Sequence, residues 1–211
     1  MKRIYNVGSS VSRHKFYWLP NALTLGRIAF IPILMWGILA LGGNIQSQLN
    51  APVLVILLFL LCALTDFLDG YLARKWDLVS DFGRMLDPIA DKLLVAGCLI
   101  AIMISFGAYW YVLIPSVAII FRDIFISGTR EHAALSGKVM PPTNLAKWKT
   151  AAEMLAILFL LIAISTRELL PISEIIPDIS GYAMNAGLGC LWLAAFLSIY
   201  TGLHYVRAAL K

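Results

Sequence analysis

Four aspartates, Asp66, Asp69, Asp87 and Asp91, fall within one short stretch, DFLDGYLARKWDLVSDFGRMLDPIADK, together with Gly70, Arg74 and Gly83. Asp66 and Asp69 are three apart, and Asp87 and Asp91 four apart, so each pair lies on one face of a helix. Four carboxylates brought together without cations would repel one another. An oxygen-only ligand set suits a hard divalent ion, Mg²⁺, Mn²⁺ or Ca²⁺, rather than zinc. Such a set could hold one ion or two. Two ions clamping a phosphate would stabilise the attacking and leaving oxygens of a phosphoryl-type displacement. Gly70 and Gly83 let another group approach the backbone, and Arg74, one turn beyond Gly70, is placed to meet a phosphate in a bidentate way.

The elements that must position these carboxylates look like membrane. The chain has 211 residues, of which 60% are hydrophobic and only 14% charged, with a mean hydropathy of +0.82. A soluble domain is typically about 45–50% apolar and about 25% charged. Six apolar segments, near residues 20–42, 51–74, 87–106, 110–132, 147–166 and 184–207, are each close to the ~20 residues that cross a hydrocarbon core. The third is expected to start at Asp87-Pro88, with the Asp87 side chain as cap and proline at the first helical position. The fourth carries Arg122, Asp123 and Arg130 near its end, so its helix is expected to project beyond the membrane surface.

The sequence therefore predicts an all-α integral membrane bundle of six transmembrane helices forming one domain over 1–211. Residues 1–19 read as a cytoplasmic lead-in, with no cleavable signal evident. With the N-terminus inside, every basic residue except Arg167 falls on the cytoplasmic side, which gives an N-in, C-in topology. All four aspartates then sit at the cytoplasmic ends of spans two and three. A short polar segment joins those spans, so they are expected to be antiparallel neighbours with converging aspartate faces. A carboxylate at membrane depth costs roughly 2.5 kcal/mol or more, which a bound cation would offset. Asp77 and Asp81, in the joining segment, read as solvated surface. Cys62, Cys98 and Cys190 lie in apolar runs without metal or disulfide spacing, and read as small buried hydrophobes. His14, His132 and His204 are too scattered to form a ligand set.

The pattern Asp66-x₂-Asp69-Gly70-x₂-Ala73-Arg74-x₈-Gly83-x₃-Asp87-x₃-Asp91 resembles the signature of the CDP-alcohol phosphatidyltransferase family at every fixed position. At average residue frequencies, such a coincidence would arise on the order of once in 10¹⁰. The resemblance runs from Pro20-Asn21 through the last span. It implies a six-span homodimer of a bacterial inner membrane that transfers a phosphatidyl group from CDP-diacylglycerol to an alcohol and releases CMP. It also implies that Asp66, Asp69, Asp87 and Asp91 hold two divalent ions, Mg²⁺ or Mn²⁺, on the pyrophosphate. Asp91 would be the base toward the attacking hydroxyl, and Gly70, Arg74 and Gly83 would contact the nucleotide. No nucleic acid partner is implied.

Two further stretches bear on the substrates. Asn21, Thr24 and Arg27 recur every three residues as a polar stripe on an apolar helix. The stripe is read as lining the CDP-diacylglycerol pocket, against the plainer reading of Asn21 as a cap and Arg27 as a snorkelling side chain. Downstream, Arg122, Arg130, Lys147 and Lys149 form a basic cluster of the kind a phosphorylated acceptor requires. With Asp123, Ser127, Glu131 and Thr150, the cluster resembles the arrangement in family members that use glycerol 3-phosphate. Asp123 departs from a more usual glutamate, and Pro141-Pro142-Thr143-Asn144 departs from the usual linker. Arg122, Ser127, Arg130, Lys147 and Lys149 are accordingly expected at the acceptor phosphate. Inositol phosphate is the next acceptor to consider, then phosphatidylglycerol or serine. A cation transporter would need ionisable residues across the bilayer, whereas here the outer halves of the spans carry none. A purely structural scaffold would have no use for four buried carboxylates.

Overall fold

The computed structural model describes residues 19–43, 52–75, 81–135, 144–168 and 178–209, and at 19–20, 66–75, 81–82, 84, 132–133, 135, 144, 167–168 and 208–209 it describes the backbone without the side chains. Six helices account for nearly all of it: α1 (Leu19–Leu41), α2 (Pro52–Lys75), α3 (Asp81–Ser105), α4 (Trp110–Leu135), α5 (Asn144–Glu168) and α6 (Ile179–Ala209). No strand occurs among the described residues. Five of these helices, all but α2, contain stretches long and apolar enough to cross a membrane. Helix α2 is apolar over Pro52–Thr65 and continues through Asp66 and Asp69 to Lys75. The chain is an integral membrane protein. At 1.5 Å per residue, the 26 residues of α4 extend about 39 Å, longer than a hydrocarbon core of roughly 30 Å.

One expectation needs correction. Asp87 does not cap α3, because that helix begins at Asp81 and carries Pro88 in its interior. Proline removes one backbone donor, but this turn lies at the polar end of the helix, where the freed carbonyl can find another donor. Asp87, released from capping, turns its carboxylate toward α1.

The bundle packs α5 on α6, α1 on α3, α4 on α6 and α1 on α2, with only slight direct contact between α2 and α3. Helix α1 thus fits against both of the aspartate-bearing helices. The core of the bundle is filled by fully buried Leu34, Ile38, Phe59, Leu94, Leu160 and Leu191. The opposite faces are apolar too, with Trp36, Phe121 and Phe196 exposed, the pattern of helices that face lipid rather than water. Small residues set the spacing between helices, because lipid supplies no hydrophobic drive and close contact must do so. A Cβ on Gly187 of α6 would stand 2.8 Å from Leu160 Cγ and 3.1 Å from the Leu160 backbone nitrogen. Gly187→Ala should therefore destabilise the α5–α6 crossing by about 1–3 kcal/mol. Thermal unfolding in detergent would check this; an unchanged midpoint would mean the helices separate without penalty.

Helix α3 ends in a Schellman turn. Ala108 N–H donates to Met103 O at 2.7 Å and Gly107 N–H to Ile104 O at 3.0 Å, with Gly107 at φ +76°. Tyr109, Trp110 and Tyr111 follow at the start of α4, and Trp192 Nε1 donates to Tyr111 O at 3.1 Å. Aromatic residues cluster in this way at membrane interfaces. The candidate chemistry lies at the other end of α3 and α4.

Candidate active site

The first half of the site is built by α1 and α3. Thr24 Oγ1 donates to Asp87 Oδ1 at 2.8 Å, and Thr24 is buried at 1% exposure. The polar stripe of α1 thus meets the carboxylate face of α3, and Thr24 fixes one oxygen of Asp87. Asp91 follows one turn later on the same face, and both aspartates are half-buried. Two half-buried carboxylates on one helix face, one of them oriented by a hydroxyl, fit a hard divalent ion as ligands. Asp66, Asp69, Gly70 and Arg74 lie on the α2 backbone, but their side chains fall outside the described residues. Among the described residues, no group of three or more potential metal ligands occurs.

Removal of the Thr24 hydroxyl tests the link between the two helices. Thr24→Val should raise the metal concentration needed for half-maximal activity by about 10- to 100-fold, and Thr24→Ser should not. An unchanged metal requirement in the valine variant would mean that the hydrogen bond does not serve the ligand.

The rest of the α1 stripe is mixed. Asn21 is half-buried in the first turn of α1. Arg27 is 2% exposed, and its charge reaches Cys62. It lies inside the bundle and does not snorkel to the surface. Gly83 is buried in the first turn of α3.

The second half of the site lies where α4, α5 and α6 converge. Arg122 Nε donates to Ser198 O at 2.9 Å, one of its terminal nitrogens to Thr201 Oγ1 at 2.7 Å, and the other to Asp123 Oδ1 at 3.1 Å. Its stem lies over Gly202, where a Cβ would meet Arg122 Cγ at 3.1 Å. Lys149 Nζ donates to Asp123 Oδ1 at 2.5 Å and to Oδ2 at 2.6 Å. It also stands 2.8 Å from Glu153 Oε1. Lys149 is 5% exposed and Glu153 2%. Two cations and two carboxylates thus form a desolvated cluster that binds three helices together. The remaining candidates are placed differently. Ser127 Oγ donates to Asp123 O at 2.7 Å, a bond within its own helix. Arg130 and Lys147 are exposed.

The two halves are joined by charge. Lys92 of α3, half-buried, lies within electrostatic reach of Asp123, Asp91, Arg130 and Lys149. Glu153 lies within reach of Asp123 and Asp91. The aspartate face of α3 and the basic corner of α4 and α5 therefore share one end of the bundle and one field. Arg122 and Lys149, expected at the acceptor phosphate, bind Asp123 in the structure, and sequence reasoning overlooked Glu153. Its signal was legible: an acid four residues after Lys149 at membrane depth requires a cation.

Comparison with known proteins places the chain among relatives. A family model described as CDP-alcohol phosphatidyltransferase matches residues 17–200. The chain is 42% identical over 193 residues to a CDP-diacylglycerol–glycerol-3-phosphate 3-phosphatidyltransferase of Rickettsia bellii, covering 92% of this chain and 96% of that protein. It is 39% identical over 215 residues to the protein of the same name from Cereibacter sphaeroides, covering 91% and 95%. A cardiolipin synthase (CMP-forming) of Oryza sativa is 34% identical over 204 residues, covering 92% of this chain and 57% of that protein. The matched span contains the complete aspartate pattern, and the chain belongs to the CDP-alcohol phosphatidyltransferase family.

Proposed function

We propose that this protein transfers the phosphatidyl group of CDP-diacylglycerol to glycerol 3-phosphate, giving phosphatidylglycerophosphate and CMP. The observation that carries the reading is the junction at one end of the bundle, where Lys92 lies in the field of Asp91, Arg130 and Lys149, and Arg122 and Lys149 both contact Asp123. Carboxylates suit the metal-bound pyrophosphate of one substrate, and cations suit the phosphate of the other. The names of the relatives from Rickettsia and Cereibacter agree with this acceptor.

The residues divide the work as follows. Asp66, Asp69, Asp87 and Asp91 would hold Mg²⁺ or Mn²⁺, two ions in all. Bound there, the ions would neutralise the pyrophosphate and the charge that develops on the departing phosphate. Thr24 holds Asp87 in place for this task. Asn21, Arg27, Gly70, Arg74 and Gly83 would bound the nucleotide and lipid. Asp91 accepts the proton of the acceptor's primary hydroxyl as its oxygen attacks the phosphatidyl phosphorus. The bond from that phosphorus to the bridging oxygen breaks, and CMP carries away the electron pair. Lys149 and Arg122, locked by Asp123 and Glu153, keep the basic corner rigid. Placement of this end at the cytoplasmic face, with N-in, C-in topology and six spans, would leave the acyl chains in the bilayer while polar substrates arrive from water. Assembly as a homodimer in a bacterial inner membrane completes the reading.

The test supplies purified protein with CDP-diacylglycerol and Mg²⁺ or Mn²⁺ and offers glycerol 3-phosphate, inositol 1-phosphate, serine and phosphatidylglycerol separately. CMP release is expected with glycerol 3-phosphate. Release only with another acceptor would overturn the assignment of substrate, and loss of activity on chelation would establish the metal requirement.

A further inference from the structure

We infer that Lys92 is a principal anchor for the phosphate of the acceptor, a role that the sequence pattern assigned to Arg122, Arg130, Lys147 and Lys149. The inference rests on the proposed transfer to a phosphorylated alcohol and names the residue that selects it.

The argument begins with which cations remain available. Lys149 already spans both oxygens of Asp123 and stands against Glu153. Arg122 is committed to Ser198 O, Thr201 and Asp123. For Lys149 to hold a phosphate, a buried ion pair would first have to break, and Arg122 could offer only the N–H donors that its three bonds leave over. Lys92 differs from both. Its ammonium makes no hydrogen bond or ion pair among the described residues, although Lys92 is half-buried on α3, which packs against α4 and α5, and lies in the field of Asp91, Asp123, Arg130 and Lys149. The negative charge of Asp123 is already answered by Lys149 and Arg122. With Glu153 standing against Lys149, Asp91 is the carboxylate of this group left to answer both Lys92 and Arg130, and a phosphate monoester would balance the remaining positive charge.

Position favours the acceptor over CDP-diacylglycerol as the source of that phosphate. Asp87 and Asp91 share one face of α3, with Asp87 turned to Thr24 of α1. Lys92 is the next residue, about 100° further round the helix, and its charge reaches α4 and α5. A hydroxyl held at Asp91 and a phosphate held at Lys92 thus bind to adjacent faces of one helix turn, and a three-carbon alcohol phosphate can bridge them. The diphosphate of the lipid nucleotide would lie on the aspartate side. Arg130 is exposed and lies within the same field.

Steady-state kinetics on the full chain in lipid nanodiscs, with CDP-diacylglycerol and Mn²⁺, test this. Lys92→Met should raise KM for glycerol 3-phosphate about 10- to 100-fold, the loss of one charge-assisted contact, and leave KM for CDP-diacylglycerol unchanged. Lys92→Arg should recover most of that loss. A rise in KM for CDP-diacylglycerol instead, or no change in either, would overturn the assignment. Wild-type protein provides a check that needs no variant: glycerol 3-phosphate or inorganic phosphate should protect Lys92 from acetylation, read by mass spectrometry. Equal labelling with and without either anion would overturn the proposal. Wild type that turns over only another acceptor, while phosphate still protects Lys92, would reject glycerol 3-phosphate as substrate yet retain the anion site.

Discussion

Asp91→Asn should lower turnover by about 10²- to 10⁴-fold, the usual contribution of a positioned base, while the protein stays folded and still binds CDP-diacylglycerol. Asparagine matches aspartate in shape and keeps an oxygen toward a metal, but its amide cannot accept the proton of the attacking hydroxyl. Asp91 lies one turn from Asp87 on a helix face that α1 supports, so the substitution leaves the bundle's packing in place. The experiment must separate a lost base from a weakened metal site. Asp87→Asn also removes a charged ligand, so its activity should be partly restored by raising Mn²⁺. Asp91→Asn should gain little from added metal. Single-turnover CMP release and binding of a nucleotide-lipid analogue, measured in parallel, would read both properties. Turnover near that of wild type, or full rescue by metal, would remove Asp91 from the role of base and leave it a ligand only.

Much of this site could be read before the fold was known, and the reasons differ by element. The helices were legible because a membrane span needs a long apolar run, and the sequence supplies such runs with charge gathered at one end. Asp87 and Asp91 were legible as a pair because their spacing fixes one helix face. The start of α3 was not, since Asp87-Pro88 carries a strong local signal for a helix start. That signal lost because the residues from Asp81 onward already continue the helix. Thr24 was read as pocket lining, whereas its bond to Asp87 crosses 63 positions of chain, and no periodicity reveals such a partner. The basic cluster was legible as a cluster. What could not be seen was how its charges divide. Arg122 and Lys149 are held by acids and backbone within the bundle, Arg130 and Lys147 are exposed, and Lys92 is half-buried next to Asp91. Pairing depends on which helices touch, and that information is tertiary.

Asp123→Ala carries the largest expected effect on stability. It removes the carboxylate that both Lys149 and Arg122 contact, and it does so where Lys149 is 5% exposed. Loss of one partner from a buried ion pair typically costs about 3–5 kcal/mol, and the lower end applies here because Glu153 still faces Lys149. For a chain of this length, at about 2–4 °C per kcal/mol, the melting temperature in detergent should fall on the order of 10 °C. Asp123→Asn should cost less, since its amide oxygen can still accept from one of the two cations. Glu153 would remain against Lys149, and the 2.8 Å contact between them should tighten. The comparison of variants also distinguishes two accounts of the cluster. If it is a structural clasp among α4, α5 and α6, Asp123→Ala loses stability first, and activity measured well below its melting point stays measurable. If Asp123 instead screens the acceptor's phosphate from Lys149 and Arg122, its removal should lower KM for glycerol 3-phosphate while stability holds. An unchanged melting temperature would rule out the clasp, and the burial of Lys149 argues for it.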